Sequence, residues 1–167
     1  SKTIKSRVNL FLDTEEPFAI DRGDGLKLTY GGGEYGFGDR KALPIVVAGD
    51  SIRIIGGGIT KLGIQKGDLR AVSLPKDNSI KYLNLARNRL SSLDLSASPH
   101  LEHLVVADNA LRVLDVRQCS ELRYLSAYFN FLDELYVGGL KKLEVLYINH
   151  SKIKQIDLTG CTSLVQL

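Results

Sequence analysis

The sequence predicts a mostly β solenoid with an N-terminal β cap, and three observations predict it. An apolar residue opens a segment of the form LxxLxLxxNxLxxLxL six times, each start 21 residues after the last. The starts are Ile59, Ile80, Leu101, Leu122, Leu143 and Leu164. With each start as position 1, positions 4, 6, 11, 14 and 16 are apolar wherever the chain reaches them, from Leu62 to Leu167. Asparagine recurs at position 9, as Asn88, Asn109 and Asn130. A fixed period of this kind marks stacked units that bury a continuous core only together.

Residues 1–58 read as the β cap that covers the first repeat. Val8, Leu10 and Leu12 alternate, as do Leu26, Leu28 and Tyr30, and Ile52 and Ile54, which is the period of a strand. Between the runs lie turn signals. Asp13-Thr14-Glu15-Glu16 before Pro17 reads as a solvated turn, and Ile20-Asp21-Arg22-Gly23-Asp24-Gly25 as a hairpin turn. Gly31-Gly32-Gly33-Glu34-Tyr35-Gly36 matches GxGxxG, but a dinucleotide cradle needs a helix directly after it. Here Phe37-Gly38-Asp39-Arg40, then Pro44 and a β-rich run follow, so the glycines are expected to form a mobile hairpin loop. Gly56-Gly57-Gly58 leads into Ile59.

Residues 59–167 then supply five 21-residue repeats and the start of a sixth. Positions 4 and 6 flank a polar or variable residue, as in Leu83-Asn84-Leu85, so each repeat carries a short strand with those two side chains inward. An Asn just after a strand turns the chain while its amide satisfies backbone groups, so Asn88, Asn109 and Asn130 are expected to stack as a structural ladder. A helix of about 10 residues does not fit beside a strand and two turns in so short a repeat, so the return segment should be extended or 3₁₀. Asp94, Asp115 and Asp157 share position 15 and face outward. They read as solvated carboxylates beside Lys or Arg, with a calcium site as the alternative. Cys119 and Cys161 both fall at position 19, two repeats apart. At about 4.8 Å per stacked strand they lie about 10 Å from each other, beyond the roughly 7 Å a disulfide spans. Free thiols packed beside Leu140 are expected, and a metal pair fails on the same distance.

These repeats resemble the short bacterial class of leucine-rich repeat, the internalin J type and the related secreted surface proteins of Bacteroidetes. Leu114-Asp115-Val116-Arg117-Gln118-Cys119 and Leu158-Thr159-Gly160-Cys161-Thr162-Ser163-Leu164 carry the likeness. Internalin J-type repeats often have Cys at the sixth position, where this chain has Ile64, Leu85, Val106, Ala127 and Ile148, so no cysteine ladder is expected. The resemblance implies a leucine-rich-repeat solenoid, export to the cell surface, and binding of a protein or glycan. Ile20–Gly25 is similar to the I-D-W-G-D-G hairpin of PKD-like β-sandwich modules, with Arg22 in place of the Trp.

The formal net charge is +3, and all of the excess lies in the repeats. Lys66, Arg87, Arg112 and Lys152 occupy different repeats and positions, so the charge reads as a dispersed, solvated surface and not as a nucleic-acid footprint. No apolar run approaches the ~20 residues of a membrane span.

Side chains at positions 3, 5 and 7 point away from the core. Position 3 brings Tyr82, His103 and Tyr124 to this face, and position 5 brings Asn84, Ser126 and Tyr147. Position 7 adds Tyr128 and Asn149, with Phe129 following at position 8. Four of the seven tyrosines share one face, and Tyr combines a large apolar body with a hydroxyl at low entropy cost. A non-enzymatic recognition or adhesion module is the expectation, without cofactor. The enzymatic alternative rests on His100 and His103, or on His103 near Tyr124 and Asp108, with no HExxH and no serine in a nucleophile elbow. The structural alternative is a self-assembling solenoid or a piece of a larger surface protein. Leu164-Val165-Gln166-Leu167 begins a sixth strand. An open edge there would belong to a longer solenoid or pair two copies symmetrically.

Overall fold

The computed structural model describes residues 6–14, 16–22, 26–35, 43–48, 51–56, 58–74 and 79–167, and none of these residues is helical. Strand β1 (Ser6–Thr14) runs antiparallel to β7 (Ile59–Gln65), the strand of the first repeat, with Leu10 opposite Ile64 and Leu12 opposite Leu62. Along its other edge β1 pairs with β4 (Gly33–Tyr35) and β5 (Leu43–Val47). From β7 the pairing turns parallel and passes through β9 (Tyr82–Asn84), β10 (His103–Val105), β12 (Tyr124–Ser126) and β14 (Val145–Tyr147). One eight-stranded sheet thus runs across residue 58 from cap to repeats.

A second sheet carries β3 (Lys27–Tyr30), β2 (Phe18–Asp21), β6 (Ser51–Ile55) and β8 (Ala71–Ser73) in that order. Here β8 is the return segment of the first repeat, lying parallel to β6 with Val72 opposite Ile52. Further along, the return segments pair as β11 (Val113–Asp115) with β13 (Glu134–Tyr136). The fold is a leucine-rich-repeat solenoid.

The columns that define the repeat are the core. Leu62, Leu83, Leu104, Leu125 and Leu146 at position 4 are fully buried, as are Ile64, Leu85, Val106 and Ala127 at position 6. The cap adds Val8, Leu10 and Leu12 from β1, with Phe18 and Ile20 from β2 and Ile52 and Ile54 from β6. Position 19 forms a further inward column of Ser98, Cys119 and Leu140. Its cause is two successive turns. The N–H of Cys119 donates to the carbonyl of Val116 at 2.9 Å, and its carbonyl accepts from Leu122 N–H at 2.9 Å. The same pair of turns recurs at Ser98, Leu140 and Cys161 and tips that residue inward. Cys119 and Cys161 are both free thiols.

Each ladder asparagine fastens two repeats. Asn109 Nδ2 donates to Val106 O in its own repeat and to Leu85 O in the preceding one, both at 3.0 Å. Its Oδ1 accepts from Leu90 N–H at 3.0 Å. Asn130 repeats the pattern one coil later on Ala127, Val106 and Leu111. Asn88 does so one coil earlier on Leu85, Ile64 and Leu69, and also accepts from Gly67 N–H. The bonds satisfy buried backbone groups that the bend after each strand removes from sheet pairing.

The bend itself has a cost. Position 8, just before the position that holds Asn88, Asn109 and Asn130, is left-handed in all five repeats, with φ of 55° at Lys66, 59° at Arg87, 59° at Asp108, 53° at Phe129 and 59° at His150. None of the five is glycine, the residue that takes this conformation without a steric penalty.

Three cap expectations change. Thr14 lies not in a solvated turn but buried at the end of β1, where its hydroxyl donates to Glu16 O and accepts from Glu16 N–H. Gly33 belongs not to a loop but to β4, which pairs with β1, because the chain crosses there between the two sheets. Leu26 stands outside the strand and is exposed. The hairpin at 20–25 is present as β2 paired with β3, its turn residues 23–25 lying outside the described residues. Gly56 at φ 140° needs its missing side chain, since a Cβ there would come within 3.1 Å of the Phe18 backbone.

Candidate recognition face

The parallel register sets the face. Tyr82, His103 and Tyr124 occupy equivalent places on β9, β10 and β12 and so stand side by side. Their ring centroids are 6.3 Å apart from Tyr82 to His103 and 5.9 Å apart from His103 to Tyr124. Tyr147, on β14, continues the row edge-on to Tyr124 at 5.9 Å. Strand spacing alone would place like residues about 4.8 Å apart, so the rings lie at close to contact distance because the solenoid stacks them. Asn84 steadies the first ring, its Nδ2 donating to Tyr82 Oη at 3.3 Å while its Oδ1 accepts from Ala86 N–H.

A second aromatic group lies where the strands end. Tyr128 meets Phe129 edge-on at 5.5 Å, and Phe129 stacks on His150 at 4.2 Å with the rings 11° from parallel. Both members of that stack occupy the left-handed position 8, which turns their side chains out of the sheet. Phe129 is 52% exposed and Tyr128 38%. Asn149 is exposed beside them, and its carbonyl accepts from Phe129 N–H at 3.0 Å.

Ser126 does not join this face. It is 1% exposed, in register between Val105 and Tyr147, and its short side chain lies below the tops of those larger neighbours. Phe131 was missing from the sequence reading. It is 52% exposed, and Lys152 Nζ lies 5.7 Å from its ring centre. The available signal was a lone aromatic at position 10, in a column otherwise made of Asp68, Arg89, Ala110 and Lys152.

The opposite side is occupied differently. Asp94, Asp115 and Asp157 each accept a backbone N–H two residues on, from Ser96, Arg117 and Thr159 at 2.9, 3.1 and 2.8 Å. Their carboxylates thereby close the turn after the return segment. Bonds from Ser96 and from Thr159 hold Asp94 and Asp157 below the usual carboxylate pKa, and the Arg117 guanidinium does the same for Asp115. Among the described residues no three His, Cys, Asp or Glu side chains gather as a metal ion requires. His103 sits between two tyrosines, while Asp108 pairs with Arg87 at 4.0 Å.

No protein-family model matches the chain, and no curated protein sequence does. Among solved structures it is similar to the functional domain of InlJ from Listeria monocytogenes, which includes a cysteine ladder. That alignment has 24% identity and a TM-score of 0.40, and covers 53% of this chain and 24% of the other.

Proposed function

We propose that this chain is a non-enzymatic recognition module of an exported, cell-surface protein, and that it binds a protein partner across the aromatic face. One observation carries the reading: the in-register row of Tyr82, His103 and Tyr124, extended by Tyr147 edge-on to Tyr124 and at the strand ends by Tyr128, Phe129 and His150. Rings held by a rigid scaffold lose little freedom on contact, and aromatic anchors dominate binding energy at protein interfaces. The repeat's resemblance to exported bacterial leucine-rich repeats supports the location. A glycan partner is the second reading, favoured by the exposed, flat Phe129 and His150 stack, which offers an apolar platform to a sugar ring.

Binding to a panel of purified cell-surface proteins and to a glycan array tests both readings. A Tyr124→Ala, Tyr128→Ala variant should lose about tenfold or more in affinity for whatever the parent chain captures, with an unchanged melting temperature. Equal loss from an Asp94→Ala, Asp115→Ala, Asp157→Ala variant would place binding on the wrong side of the solenoid.

A further inference from the structure

The positive charge that the sequence spreads over several repeat positions gathers in space. Position 8 carries Lys66 and Arg87, position 10 carries Arg89 and Lys152, and position 12 carries Arg70, Arg112 and Lys154. The same three positions hold only three acids, Asp68, Asp108 and Asp133. All ten side chains are exposed. They share one flank, beside the ends of the parallel strands. One shallow recess there is lined by Arg70, Arg89 and Asp108, and a second by Asp133, Lys152 and Lys154. Elsewhere residues 59–167 hold seven basic and eight acidic side chains, so the excess of the whole chain belongs to this strip.

Each acid on the flank is engaged by an arginine in the neighbouring repeat: Asp68 by Arg89 at 2.9 Å, Asp133 by Arg112 at 3.2 Å and Asp108 by Arg87 at 4.0 Å. Lys66, Lys152 and Lys154 stand outside those three pairs. A separate observation marks the same strip. Position 8 is left-handed throughout, yet it holds Lys, Arg, Asp, Phe and His where Gly or Asn would relieve the backbone. Residues held at such angles cluster at surfaces that contact ligands.

We propose that this flank is the rim of the recognition site and that the partner is a protein presenting an acidic surface to it. The inference rests on the proposed aromatic face, which Phe129 joins to the flank through its contact with Tyr128. Charge at a rim steers encounter and selects partners, while the aromatic centre supplies affinity. A uniform polyanion fits less well, since Asp68, Asp108 and Asp133 stand among the cations. A protein surface can set its own basic groups against them.

Selection of a random dodecapeptide phage library on the immobilised protein tests this. The selected pool should be rich in Asp and Glu, and its best peptides should lose affinity steeply as salt screens the charges, over a Debye length of about 10 Å at 0.1 M. A Lys66→Glu, Lys152→Glu, Lys154→Glu variant should weaken them tenfold or more, while Lys141→Glu with Lys142→Glu, also charge reversals but off the flank, should not. Peptides that need the lysines but survive Tyr124→Ala with Tyr128→Ala would uphold the flank and count against the face alone. Peptides indifferent to the lysines would overturn the proposal. So would tighter binding of heparin or of a single-stranded DNA 20-mer, because each would make the strip a polyanion site.

Discussion

The side-chain amide of Asn109 donates to the carbonyl of Leu85, a residue 24 places earlier, at 3.0 Å and wholly inside the protein. The same amide holds Val106 in its own repeat, and its oxygen holds Leu90 N–H. Replacing Asn109 with Ala leaves these buried groups without partners and should cost about 1–3 kcal/mol for each group that water cannot reach. Chemical denaturation measures it. Asn109→Asp keeps the acceptor for Leu90 N–H but loses both donors, and should be at least as damaging because it buries a charge.

Leu104 is fully buried on β10, midway along the solenoid. Leu104→Ala should cost about 2–5 kcal/mol, through lost transfer energy and the cavity left behind. Val165 is 83% exposed, and Val165→Ala should leave the midpoint unchanged within error. Similar losses at the two sites would mean that the repeat register is wrong.

Lys66 has φ 55° and an exposed side chain. Lys66→Gly removes the Cβ clash of the left-handed backbone, worth roughly 1–2 kcal/mol, and adds unfolded-chain entropy worth roughly 0.5–1. The net expectation is a gain of about 0–1.5 kcal/mol. Lys66→Val should destabilise, since a β-branched residue tolerates this conformation worst. A melting temperature that ranks Val above Gly would refute the strain.

Burial pushes the Cys119 thiol pKa up from its ordinary 9.0 to about 12, with the Asp115 carboxylate adding to the shift. Maleimide at neutral pH should therefore label Cys161 in the native protein and leave Cys119 untouched, with both reacting once the chain is unfolded in the absence of reductant. Between pH 9 and about 12 the unfolded chain has released a proton that the folded chain keeps. Stability should fall across that window and be unaffected by this group below it. Cys119→Ser, which copies Ser98 one repeat earlier, should remove that part of the alkaline slope.

What the sequence revealed and what it hid divide along a physical line. Inward columns were legible because burial at a fixed period admits only apolar side chains, and Leu62 to Leu146 obey it without exception. Asn88, Asn109 and Asn130 were legible because one chemical task was repeated in place. Position 8 was not, since a backbone angle leaves no mark on chemistry when Arg, Asp, Phe and His all accept the strain. At position 19 the cysteines and Leu140 were legible as packed together, but the buried Ser98 gave that column no apolar mark. On the candidate face, alternation put Tyr82, His103 and Tyr124 on one side. It took no account of relative height, and Ser126 sank between Val105 and Tyr147. The cap has no repeating unit, and β4 is three residues that begin with glycine, too short to show alternation, so it was mistaken for a loop.

Position 2 alternates in sign along the stack: Lys81, Glu102, Arg123, Glu144. Lys81 pairs with Glu102 at 3.3 Å and Arg123 with Glu144 at 2.5 Å, each across one repeat boundary. Arg112 with Asp133 at position 12 and Glu121 with Lys142 at position 21 follow the same rule. Such exposed pairs contribute little to stability, about 0–1 kcal/mol each. Their larger effect is on assembly fidelity. Nearly identical coils can skip a unit during folding, with every leucine still finding a leucine. A skipped coil would set Lys81 against Arg123, Glu102 against Glu144 and Arg112 against Lys154, like against like at positions 2 and 12. The alternating charges act as an address that tells each coil which neighbour is its own.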